Sequence, residues 1–187
     1  MFALDPRLEQ DTLLLGDFPL SRLLLMNDAR YPWFILVPRR EDVTELFQLD
    51  VDDQQALWRE ATLLAEVLKD TFRADKMNVA NLGNVVSQLH MHVIVRRRGD
   101  DAWPGPVWGR HPAQPYSSEQ VEAIRGKLRM VLTDGFRLPG RPRWSWTRAW
   151  MTWNAARLSR MTLCRLSTMW WSSSSAALSD CSFRSRH

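Results

Sequence analysis

Two of the chain's four histidines lie two residues apart, in the stretch Gln88-Leu89-His90-Met91-His92-Val93-Ile94-Val95. Side chains alternate along a strand. Read as a strand, this stretch sends Leu89, Met91, Val93 and Val95 to one face, and Gln88, His90 and His92 to the other. With the apolar set buried under helices, the polar trio faces an open surface or a cleft. A neutral imidazole is a nucleophile that works near neutral pH without a metal, and phosphorus suits it as a target. A second imidazole two residues on, protonated, would hold or protonate phosphate oxygens. The plain alternative is a pair of idle imidazoles on a solvated strand, and the alternation by itself weighs the two equally. Zinc is short of ligands here, because no third His, Cys or nearby carboxylate joins the pair. No metal and no cofactor is expected.

The elements that must hold this strand can be read from period and turn chemistry. Residues 12–15 form a short apolar run closed by Gly16, an edge strand. Residues 21–26 and 33–37 are two further apolar runs. The turn residues Asn27-Asp28-Ala29-Arg30-Tyr31-Pro32 lie between them, as in a hairpin. From residue 53 to 72 the period becomes helical, with Leu57, Ala61, Leu64 and Leu68 on one stripe and Asp50, Asp52 and Asp53 at its start. Residues 77–80 and 89–95 give two more strands around the Asn81-Leu82-Gly83-Asn84 turn. Ser117 and Gln120 make a capping box that opens a last helix through Val121, Ile124 and Leu128. The fold class is α+β: an antiparallel sheet with a central helix and a C-terminal helix.

Charge divides the chain in two. The net charge of +4 comes entirely from residues 138–187, which hold eight Arg and a single Asp, while residues 1–137 carry −3. The same tail holds six of the ten Trp and both Cys, Cys164 and Cys181, with no helical or strand period. Three readings compete for it: a basic aromatic arm for nucleic acid, a membrane-surface segment, or out-of-frame translation after a frameshift near Phe136. The third is preferred, and the tail is given no functional weight. The expected organisation is a domain over residues 1–137 followed by a disordered or out-of-frame tail over 138–187. No run of eighteen apolar residues and no signal peptide stand out. The expectation is therefore a soluble, cytoplasmic protein without membrane or nucleic-acid partners.

The His90 strand resembles the signature of the histidine triad (HIT) family, His-φ-His-φ-His-φ-φ with φ apolar, with Gln88 in place of the first His. The resemblance runs from about Arg22 to Gly109 and takes in the Gly83-Asn84 turn, the strand from Trp33 to Pro38, and Trp103-Pro104-Gly105-Pro106. It implies a nucleotide-binding fold, a homodimer formed through the central helix and a sheet edge, and a reaction in which the middle His attacks the α-phosphorus of a nucleotide conjugate. That position is His90, the candidate nucleophile. His92 would hydrogen-bond phosphate and assist the leaving group, and Gln88 would complete the catalytic set. Trp33 stands where the family carries a His that supports the nucleophile, which leaves the tuning of His90 open. The resemblance also makes Asn27 and Asp28 candidates for ribose, with ordinary turn residues as the equal alternative. Asn81, Gly83 and Asn84 would lie against the phosphates. Trp103 and Trp108 either wall the site or pack their loop. Arg96-Arg97-Arg98 reads as a solvated strand end. The implied function is a nucleotidyl hydrolase or transferase. The alternatives are a non-catalytic nucleotide-binding module and a nucleic-acid binder acting through the tail.

Overall fold

Five six-residue runs, rich in apolar side chains, pair into one sheet: β1 (Thr12–Asp17), β2 (Ser21–Met26), β3 (Trp33–Pro38), β4 (Lys76–Asn81) and β5 (Met91–Arg96). The spatial order is β1-β2-β3-β5-β4 and every pairing is antiparallel. This computed structural model describes residues 1–132 and 135–139. Those residues fall in a unit spanning Met1–Pro139. The tail expected over 138–187 lies outside the described residues from position 140 onward.

Both faces of the central strands are covered. On one face Leu23, Leu25, Phe34, Leu36, Met91 and Val93 pack against two helices. The first is α2 (Val51–Phe72), which buries Leu57, Ala61, Leu64, Leu68 and Phe72; the second is α3 (Ser118–Val131), which buries Ile124 and Leu128. The caps are those the sequence offers. Asp50 accepts from the Asp53 amide, and Ser117 and Gln120 close a reciprocal box. A carboxylate ties helix to sheet: buried Glu60 on α2 accepts from the amides of Leu20 (2.8 Å) and Ser21 (3.1 Å). Such a bond satisfies backbone donors that burial would otherwise leave unpaired.

The opposite face carries a second apolar cluster of Leu24, Trp33, Ile35, Val37 and Ile94, covered by Leu8, Ala102 and Val107. Leu8 belongs to α1 (Pro6–Asp11), a short helix the hydrophobic period does not reveal. Its signal is local: Asp5 caps it by accepting from the Arg7 amide (2.8 Å), and Pro6 occupies the first turn.

Two expectations need correction. β5 begins at Met91, so Gln88 and His90 precede the paired strand rather than lie within it. Arg96 is not a solvated strand end. It is 2% exposed, gives two hydrogen bonds to Asp100 (2.8 and 3.0 Å) and one to Asn78 (2.8 Å), and lies over the Trp103 ring. A buried guanidinium persists only with such partners. Arg97 and Arg98 are exposed.

Candidate functional site

β3 and β5 are neighbours, with Ile35 opposite His92 and Trp33 opposite Ile94. This register sets Trp33, Ile35 and His92 on the face away from α2, with Met91 buried behind them in the helix-side core. A cavity of about 450 Å³ opens on that face. His90, His92, Trp33, Trp108 and Asn84 line it, and α1 contributes Arg7, Leu8 and Asp11.

The two imidazoles meet nearly edge to face, with centroids 4.7 Å apart and planes at 84°, and they are 4% and 3% exposed. Their hydrogen bonds differ in kind. His90 Nδ1 lies 2.7 Å from the Gln88 carbonyl oxygen, which can only accept. His90 therefore carries a proton on Nδ1, and its neutral form keeps the lone pair on Nε2. His92 Nδ1 lies 2.9 Å from the indole Nε1 of Trp33, which can only donate. Nδ1 of His92 is thus the acceptor, and the neutral ring carries its proton on Nε2. One imidazole offers a base and the other a donor.

His92 is held in that state. Burial first, and the adjacent His90 second, push its pKa down from 6.5 to about 3, while the Leu82 carbonyl pulls weakly the other way. A protonated His92 at neutral pH, the sequence expectation, is therefore corrected: the ring is a neutral hydrogen-bond donor. Trp33 and Trp108 clamp it edge-on, at centroid distances of 5.5 and 5.2 Å, and also meet each other at 5.4 Å. Trp33 thus supports His92, whereas the His it replaces is expected to support the nucleophile. Among the described residues, Trp108 Nε1 has no hydrogen-bond partner despite burial, and His92 Nε2 has only the weak pull of the Leu82 carbonyl, outside hydrogen-bond geometry. A ligand oxygen would satisfy either one.

The other candidates divide. Asn84 lines the cavity, whereas Gly83 does not and Asn81 is the exposed last residue of β4. Gln88 does not line it either. Its side-chain oxygen accepts from the Asp5 amide (2.9 Å) and its nitrogen donates to the Ala3 carbonyl (2.8 Å), so the amide is committed to the segment leading into α1. Asn27 accepts from the Tyr116 amide, and Asp28 from the amides of Arg30 and Gln114. Both fasten the loop that precedes α3. Trp103 lines a separate, smaller pocket with Arg110, sharing only Trp108 and Gly109 with the main cavity. Arg7 and Asp11 went unnoticed in the sequence. The Asp5-Pro6 pair that starts their helix was the available signal.

The HIT domain family model matches residues 7–99. A histidine triad protein from Marinobacter aquaeolei VT8 is 50% identical, covers 71% of this chain and 96% of its own, and superposes with a TM-score of 0.69. The chain belongs to the histidine triad family. Histidine triad proteins from Sinorhizobium meliloti 1021 (46% identity, 70% of this chain and 97% of that one) and Bradyrhizobium japonicum (43%, 71% and 98%) give the same TM-score of 0.69. A search of curated proteins gives no significant match.

Proposed function

We propose that this histidine triad protein is a nucleotidyl hydrolase or transferase that attacks the α-phosphorus of a nucleotide conjugate through a covalent nucleotidyl-histidine. The observation that carries the reading is the opposed tautomers of His90 and His92 on one cavity wall. His90 Nε2 supplies the electron pair for the N–P bond, while the bond from the α-phosphorus to the leaving group breaks and its electron pair departs with that group. As the ring becomes cationic, the Gln88 carbonyl accepts its Nδ1 proton in a stronger, charge-assisted bond. His92 Nε2–H donates to a non-bridging phosphate oxygen, whose charge it meets in a water-poor setting. The P–N bond then breaks by attack of water or another acceptor, returning the pair to Nε2. The cavity volume suits a ligand of nucleotide size.

Intact-mass measurement of the protein mixed with a panel of nucleotide conjugates tests this. The expected result is a nucleotidyl adduct that disappears in His90→Ala, with turnover falling by at least ~10³. Tight binding with no adduct and no turnover would select the non-catalytic nucleotide-binding module instead.

A further inference from the structure

Aromatic rings box in His92 on three sides. The Trp33 and Trp108 indoles meet it at centroid distances of 5.5 and 5.2 Å with planes at 61° and 79°, and the His90 ring meets it at 4.7 Å and 84°. Trp33 is itself buried, at 6% exposure, and packs edge-on against Trp108. A ring so enclosed in a close-packed interior cannot turn over without displacing its neighbours. With its orientation fixed, the freedom left to His92 is which nitrogen carries the proton.

One hydrogen bond decides that. The Trp33 indole N–H donates to His92 Nδ1 at 2.9 Å, and an indole N–H cannot accept. A proton on Nδ1 would set two buried donors against each other. The other groups around the ring favour the same outcome or leave it alone. His90, when charged, disfavours a second cation beside it, and the Leu82 carbonyl favours a proton on Nε2. Trp33 and Ile35 of β3 and Trp108 of the loop before α3 carry no charge, while α1 brings Arg7 and Asp11 to the same cavity. An imidazole relays a proton only when one nitrogen takes one up as the other releases one. With Nδ1 closed by a donor, that route is shut.

We infer that Trp33 is a positioning residue for the reaction: its indole N–H locks His92 in the Nε2–H form and so makes it a fixed phosphate donor that neither relays nor exchanges its proton. This rests on the nucleotidyl-transfer reading above and adds the residue that sets the state of its donor. Without the indole N–H, the Nδ1–H form of His92 becomes accessible. Nε2 then turns a lone pair toward a phosphate oxygen, a repulsive contact where the transition state gathers charge. Trp33 acts on the phosphate only through His92.

The test replaces Trp33 in the full chain with benzothienylalanine, which keeps the ring shape and puts sulfur where the N–H stood. Trp33→Phe, which also lacks the donor, serves as a second variant. Nitrogen-15 NMR of the histidine rings reads which nitrogen is protonated. Wild-type His92 should show a bare Nδ1 and a protonated Nε2, unchanged between about pH 8 and pH 5, since burial and His90 hold the ring neutral there. Both variants should show a mixture of the two forms. With adenosine 5′-(4-nitrophenyl phosphate) as probe, kcat should fall at least ~10-fold while KM changes little, and Trp33→His, which restores a ring N–H, should recover part of the loss. An unchanged His92 tautomer in both variants overturns the proposal, as does an unchanged kcat despite a changed tautomer. In either case an active wild type leaves the nucleotidyl-transfer reading standing. A wild type that neither turns over the ester nor forms a His90 adduct sinks that reading and this proposal together.

Discussion

A donor-only indole against one imidazole and an acceptor-only carbonyl against the other set the protonation pattern of the site. The histidine pair was legible in the sequence because its two-residue spacing beside an apolar run is a local pattern, although only His92 lies in the paired strand. The tautomers were not. They depend on Trp33, 59 residues from His92 in sequence and beside it in register. The same burial that keeps His92 neutral makes it a liability in acid. Its folded pKa of about 3 lies below the value near 6.5 of an exposed imidazole. Between those values the unfolded chain takes up a proton that the folded chain refuses. This contribution to stability is therefore intact above about pH 6.5 and is lost as pH falls toward 3, by about 2 kcal/mol at pH 5. Urea unfolding at pH 7 and pH 5 should show this loss in the wild type and a smaller one in His92→Gln. Equal losses in both proteins would remove His92 as the cause.

Among the elements, the two long helices and the paired strands follow from period and caps, since each buries a continuous apolar stripe. The short helix α1 escapes such reading. Six residues are too few for a period, and its position depends on Gln88, more than eighty residues away. Both ends of the Gln88 amide serve the chain segment that leads into α1, whose residues line the cavity. Gln88→Ala should therefore release α1 rather than abolish chemistry. The expected outcome is faster amide exchange and proteolysis within residues 1–11, with a loss of stability of about 1–3 kcal/mol for two hydrogen bonds. KM should rise while kcat changes little, because His90 bonds to the Gln88 backbone and not to its side chain. A kcat that collapses with α1 still protected would make Gln88 catalytic after all.

At the scale of the molecule, the sheet ends at β4, whose outer edge is unpaired among the described residues and carries exposed Val79. An open edge of this kind invites a second copy. The expected homodimer should sediment as such, and Val79→Lys should shift it toward monomer. The other end of the sheet tells where the fold closes. Asp17 of β1 exchanges two backbone hydrogen bonds of 2.8 Å with Arg137, and the Phe136 ring lies 4.9 Å from that of Phe18. Gly16 is needed there: a Cβ would come within 2.5 Å of both the Arg137 carbonyl and the Phe136 ring. The sequence places its change of composition near this point, but composition cannot show that Phe136 and Arg137 still belong to the sheet. Two truncations separate the cases. Removal of residues 140–187 should leave turnover unchanged, since every described residue of the cavity lies between Arg7 and Gly109. Removal from residue 133 onward also takes away Phe136 and the Arg137 pairing. Phe136 is partly buried against the core, so losing its ring and the Arg137 pairing should cost about 2–3 kcal/mol, seen as a fall in Tm of more than ~5 °C. An equal fall in Tm for both truncations would mean that residues 140–187 are themselves part of the stable unit.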